Sequence, residues 1–124
     1  MTASIAPVIG CQNVMAVAEW FRDVLGFDLD PSLVFVLDEK EGASYAILDR
    51  DGMSVHLQIR REPMGNEDNA YDFYARVPDA AALLKEFEAR GVKVVQPLED
   101  QPYGMRDFSV ENPEGRRMMF GSGL

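Results

Sequence analysis

The residues of this chain best equipped for chemistry are His56, its single histidine, and Asp72. Each lies in a short run of alternating character, which places successive side chains on opposite faces of a strand. In 53–59, Val55, Leu57 and Ile59 take the apolar face, leaving Ser54, His56 and Gln58 on the other. In 71–77, Phe73, Ala75 and Val77 turn inward, and Asp72, Tyr74 and Arg76 turn outward. In 116–120, Met118 and Phe120 pack down while Arg117 and Met119 face the same side as the polar set. A histidine beside an aspartate can act as a general base, the carboxylate fixing its tautomer. The plainer reading is a neutral ring hydrogen-bonded inside a polar pocket. Asp72 could equally balance a cationic ligand, or pair with Arg76 or Arg117. Tyr74 and Tyr103 could each stack on a flat ligand or serve as a packing lid.

These strands belong to a unit that occurs twice. After Asn13, a helix-capping residue, apolar side chains fall at Val14, Val17, Ala18, Phe21, Val24 and Leu25, one face of a helix that stops at Gly26. After Asp79 the stripe recurs at Ala80, Leu83, Leu84 and Phe87, stopping at Gly91. Each helix is expected to run into a short connection ending in proline, Pro31 and Pro97. Strands are expected at 6–12 and 71–77 before the helices. The turns Asp49-Arg50-Asp51-Gly52 and Asn112-Pro113-Glu114-Gly115 introduce strands at 53–59 and 116–120. The order is strand, helix, then about three strands, twice over. The chain therefore reads as one α+β domain spanning 1–124. Its βαβββ repeats cover about 4–60 and 70–122, joined by a polar linker at about 61–69. Segment 98–106 reads as a mobile loop and Glu39-Lys40-Glu41 as a solvated hairpin tip. Trp20, at the edge of the first helix stripe, is expected to serve core or dimer contacts. Two sheets, each with a helix on one face, would together form a cupped mixed sheet suited to a ligand.

Composition narrows the function. Net charge is −9 with 21 acidic and 12 basic residues, which argues against nucleic acid, since phosphate binding needs clustered Lys and Arg. An acidic surface would attract a cationic ligand, or be simply a solvated surface. Cys11 is the lone cysteine, in an apolar strand, and is expected to be a buried structural thiol in a reducing compartment. The N-terminus lacks a basic, then long apolar, leader pattern, and no stretch reaches membrane-spanning length. The expectation is a cytoplasmic protein with no membrane partner. A nucleophile elbow, a Gly-rich phosphate loop, a paired-His motif and a Cys pair are all absent from the sequence.

Four stretches, AEWFRDVLGF, MSVHLQI, VPDAAALLKEFEARGV and YGMRDFSVENPEG, resemble in order and spacing the vicinal oxygen chelate superfamily, which includes glyoxalases, bleomycin-resistance proteins and extradiol dioxygenases. The likeness runs along nearly the whole chain. It is nearest to the bleomycin-resistance proteins, in length, acidity, a proline in the first strand (Pro7) and the loop Gln101-Pro102-Tyr103-Gly104. Metal-using members of the family place one ligand on each of four equivalent strands. Seven residues before each helix cap stand Ala6 and Asp72; four after each turn glycine stand His56 and Met119. Alanine cannot ligate, and a thioether suits soft ions. His56 and Asp72 alone fall short of the three protein ligands usual in catalytic sites.

The resemblance therefore implies a metal-independent binding protein. It would sequester a flat cationic molecule in a cleft lined by Ser54, His56, Gln58, Asp72, Tyr74, Tyr103, Arg117 and Met119, without a cofactor. It also implies a homodimer whose clefts draw on both subunits. The alternative is a divalent-metal lyase, isomerase or dioxygenase of the same fold, for which Glu111, Glu114 or a partner-chain carboxylate would have to complete the site.

Overall fold

The computed structural model describes residues 2–65 and 70–124, and its contacts divide the chain into two compact units, Met1–Met64 and Gly65–Leu124. Residues 66–69 of the expected linker lie outside the described residues.

The first unit runs β1 (Val8–Cys11), α1 (Val14–Asp23), β2 (Asp28–Phe35), β3 (Tyr45–Arg50) and β4 (Met53–Ile59). Its sheet has the order β1-β4-β3-β2, with β1 parallel to β4 and the other pairs antiparallel. The Asn13 side chain caps α1 by accepting from the Ala16 amide at 3.0 Å. Val14, Val17, Ala18 and Phe21 of α1 are buried together with Ile9, Cys11, Ala46, Leu48, Val55 and Leu57, so these strands give one face to the helix. Trp20 meets Phe21 edge-on, ring centroids 5.2 Å apart.

The second unit repeats the plan: β5 (Tyr71–Arg76), α2 (Ala80–Ala89), β6 (Lys93–Asp100), β7 (Met105–Glu111) and β8 (Arg117–Gly123). The sheet order is β5-β8-β7-β6, again with one parallel pair, β5 with β8. Asp79 caps α2 through the Ala82 amide at 3.1 Å. At the other end Gly91 has φ +82°, where its amide donates to the Glu88 carbonyl and that of Val92 to the Phe87 carbonyl. Phe87, Phe108, Met118 and Phe120 are fully buried and form the core beneath α2, Phe108 stacking on Phe120. The architecture is thus two four-stranded mixed sheets, each with a helix, in a βαβββ repeat.

Three local expectations need correction. The strands after the helices begin at Asp28 and Lys93, so Pro31 and Pro97 lie inside strands rather than ending connections. Both strands are at sheet edges, where a missing amide is tolerated, and both prolines fall within register shifts. The segment 98–106 is mostly strand. Only 101–104 lies outside β6 and β7, and it is pinned by bonds from the Gln101 amide to the Met105 carbonyl (2.7 Å) and from the Leu124 amide to the Gly104 carbonyl (3.1 Å). The third correction, a bulge in β5, bears on the site.

Candidate functional site

In the first sheet, His56 pairs with Val8 on one side and Ile47 on the other, and Gln58 pairs with Gly10 and Tyr45. Partners across a ladder share a face, so Ser54, His56 and Gln58 lie with Tyr45 on the face turned away from α1. The Tyr45 hydroxyl sits 2.7 Å from Nδ1 of His56, and the two rings meet edge-on. Tyr45 was not singled out in the sequence, although its place at the head of β3 puts it two residues from the position opposite His56. A small cavity of about 260 Å³ lies at the same sheet's edge, between Val8, Gly10, Gln58 and Met64. Ala6 stands two residues ahead of Val8, and its side chain offers no donor atom.

In the second sheet Tyr71 pairs with Arg117 and Tyr74 with Met119. Three residues of β5 thus span two of β8, a bulge that interrupts the alternation. Tyr71, rather than Asp72, stands level with Arg117. The Asp72 carboxylate is bound by the guanidinium of Arg116, with Nε at 3.1 and 3.2 Å from its two oxygens and a further short contact from Nη2. Both side chains are about nine-tenths buried, and Arg116 also donates to the Gly65 carbonyl. The partner of Asp72 is therefore neither Arg76 nor Arg117 but the residue just before β8.

The most developed polar cluster centres on Asp107 of β7, which sequence reading missed. Its side chain is completely buried, level with Gly121 of β8, on the face away from α2. One carboxylate oxygen accepts from the side-chain Nε2 groups of Gln96 (2.8 Å) and Gln101 (3.0 Å). The other accepts from the hydroxyls of Tyr74 (3.0 Å) and Tyr103, the latter bond being very short. All four partners donate, so the aspartate must be ionised to satisfy them. Burial pushes its pKa up, but the bonds from Tyr103, Gln96, Tyr74 and Gln101 outweigh that and hold it below the ordinary carboxylate value. The same bond, with lesser help from desolvation, raises the Tyr103 hydroxyl to about 12. Tyr74 is also raised, first by burial and then by its bond to Asp107. Among the described residues Asp107 forms no ion pair with Lys or Arg.

Glycine at 121 is what admits Tyr74. A Cβ there would lie 2.0 Å from the Tyr74 hydroxyl, a distance no real contact sustains, and a tight 3.0 Å from the Asp107 Cβ. The alternation of 105–111, with Asp107 and Ser109 opposite Phe108 and Val110, gives the face on which the aspartate lies but not its burial.

The four positions that the resemblance assigns to a metal offer too few donors to fit a divalent ion. Ala6 has no donor, Met119 offers a thioether, Asp72 is held by Arg116, and one nitrogen of His56 is engaged by Tyr45. Among the described residues no three His, Cys, Asp or Glu side chains form a group able to hold a metal.

The sequence pattern of the Glyoxalase/Bleomycin resistance protein/Dioxygenase superfamily matches residues 5–120. Among solved structures, TioX from Micromonospora sp. ML1 is similar over 99% of this chain and 100% of its own, at 24% identity and a TM-score of 0.78. A bleomycin-binding protein from Streptomyces verticillus, complexed with copper(II)-bleomycin, is similar over 100% of both chains, at 24% identity and a TM-score of 0.74. TnmS3, an antibiotic binding protein from Streptomyces sp. CB03234, covers 100% of this chain and 99% of its own, at 17% identity and a TM-score of 0.70. A search of curated proteins returned no match.

Proposed function

The chain belongs to the Glyoxalase/Bleomycin resistance protein/Dioxygenase superfamily, and within it we propose a metal-independent protein that sequesters a flat, cationic small molecule. The observation that carries this reading is aromatic surface held ready for stacking. Tyr74 and Tyr103 keep 41% and 59% of their area exposed while their hydroxyls are fixed to Asp107. A ring anchored at its polar end loses little further freedom when a planar ligand lies on it. The donor-poor positions Ala6 and Met119 favour binding without a metal, and the net charge of −9 favours a cation. Relatives of the same fold that bind bleomycin and other antibiotics make such a ligand class reasonable.

Two further features belong to this reading. A homodimer would cover the apolar side chains that a single chain leaves exposed, among them Ile5, Phe35, Val36 and Leu37; light scattering at two concentrations tests it. A reducing, cytoplasmic setting agrees with the buried thiol of Cys11, and no helix of the described residues is long and apolar enough to cross a membrane.

Calorimetry of chelator-washed protein with a metal-free bleomycin-type glycopeptide tests the central proposal. Heat should appear at low salt and the affinity should fall as salt rises. No heat at low salt removes that ligand class. A stoichiometric metal in protein purified without chelator overturns metal independence and favours the enzymatic alternative.

A further inference from the structure

A buried charge is normally paired with an opposite one, because hydrogen bonds alone spread a charge without cancelling it. Asp107 departs from this. Its four partners are neutral, each oxygen already accepts two bonds, and no cation of the described residues pairs with it. No oxygen is left for a ligand to touch directly. Its negative charge can still be felt outside, through the two phenols that donate to it. Such donation makes a phenol ring more electron-rich, which strengthens its face as a partner for cations.

The rings in question are close together. Tyr74 and Tyr103 donate to one and the same oxygen atom, so their hydroxyls are neighbours. Tyr71, 41% exposed, stands on the same sheet face one position earlier in the ladder, and its hydroxyl is near enough to reinforce the upward shift of Tyr103. We infer that Tyr71, Tyr74 and Tyr103 form a subsite for a single organic cation with a delocalised or methylated nitrogen, and that Asp107 supplies the countercharge from beneath the rings. This rests on the binding reading above and adds to it the locus and the kind of charge. A compact, strongly hydrated ammonium is disfavoured, since neither Asp107 oxygen is free to replace its water. A weakly hydrated planar cation needs none.

The chain's own competitor is Arg76, exposed, level with Gly121 and close enough to pull the Tyr74 pKa slightly down. Its charge opposes an incoming cation in the same place. Removing it is therefore expected to tighten binding, whereas a merely structural cluster predicts no change.

The test uses the full chain, washed with chelator, and two probes of equal size in equilibrium dialysis at slightly alkaline pH: N-methylquinolinium, permanently charged, and 4-methylquinoline, neutral there. The wild-type protein should hold the cation roughly tenfold more tightly than the neutral probe. Asp107→Asn should bring the two within about twofold while the neutral probe still binds, and Arg76→Gln should tighten the cation by about threefold. Should Asp107→Asn fail to fold, the exposed Arg76→Gln variant still decides. Equal wild-type affinity for the two probes, or a cation affinity unmoved by Arg76→Gln, overturns the charge assignment and leaves the binding reading standing. Binding of neither probe overturns both.

Discussion

The two sheets share a backbone plan and differ in what they carry on the face away from the helix. The ladders align them residue by residue: His56 corresponds to Met119, Tyr45 to Asp107, Gln58 to Gly121 and Val8 to Tyr74. On the helix side the two halves are alike, an apolar core of aliphatic and aromatic side chains. On the far side the first sheet has one tyrosine–histidine pair, partly exposed. The second has a buried carboxylate with four donors. The polar structure was therefore added to a common scaffold by side chains, and each addition needed its own accommodation. The Tyr74 phenol required a glycine at 121 to reach Asp107, and Tyr71 reached its place through a bulge.

If that contrast is sound, equivalent substitutions should have unequal consequences. The largest is expected for Arg116→Ala, which strands a buried Asp72 carboxylate and should cost about 3–5 kcal/mol in chemical denaturation. The aligned position in the first sheet holds Met53, with no such charge to strand. Next, Asp107→Ala leaves four donors without their acceptor and should cost about 2–4 kcal/mol, whereas Tyr45→Phe removes one part-exposed bond and should cost about 0.5–1.5 kcal/mol. Comparable losses at the two sites would erase the distinction. Third, Gly121→Ala forces the Tyr74 phenol away and should destabilise by about 1–3 kcal/mol, while Gln58→Ala in the other sheet should stay within about 0.5 kcal/mol.

The smallest effect is the most diagnostic of charge. Tyr103 is held protonated in the folded state to about pH 12, above the value near 10 expected of an unfolded tyrosine. A raised folded pKa contributes stability that is complete below the unfolded value and disappears as pH rises through the folded one. Thermal stability should therefore decline between about pH 10 and 12, and Tyr103→Phe should remove that part of the decline. At the acid end the sign reverses. Asp107 is depressed, so its contribution is present above the unfolded carboxylate value of about 4 and is lost as pH falls below it. An alkaline profile identical in wild type and Tyr103→Phe would show that the Tyr103–Asp107 bond does not persist in solution.

Much of the scaffold could be read in advance, because its signals are local. Asn13 and Asp79 accept from the amides expected of helix caps, and Gly26 and Gly91 have the positive φ of helix stops. The turns at Gly52 and Gly115 likewise follow from glycine's freedom at φ near +80°. The alternation of 53–59 correctly separated Val55 and Leu57, both buried, from His56. What escaped had no local signature. The β5 bulge inserts a residue without a proline or glycine to announce it, so alternation put Asp72 on the face of Tyr74 and Arg117, whereas Tyr71 is the residue that stands level with Arg117. The Asp72–Arg116 pair joins residues 44 apart, and an arginine next to a strand start looks like surface. Asp107 was missed because an acidic residue is normally exposed, and what buries it here is a set of partners spread over two strands and a loop.

The claim on which the contrast depends is that Asp107 is a charged group buried without a countercharge. Carboxyl-carbon NMR of the full chain, labelled at aspartate and titrated with acid while still folded, measures this directly. The Asp107 resonance should remain that of a carboxylate to a lower pH than an ordinary aspartate, and in Tyr103→Phe its titration should move upward. An Asp107 that takes up its proton at or above the ordinary value would mean a neutral cluster, with no charge for a cationic ligand to meet.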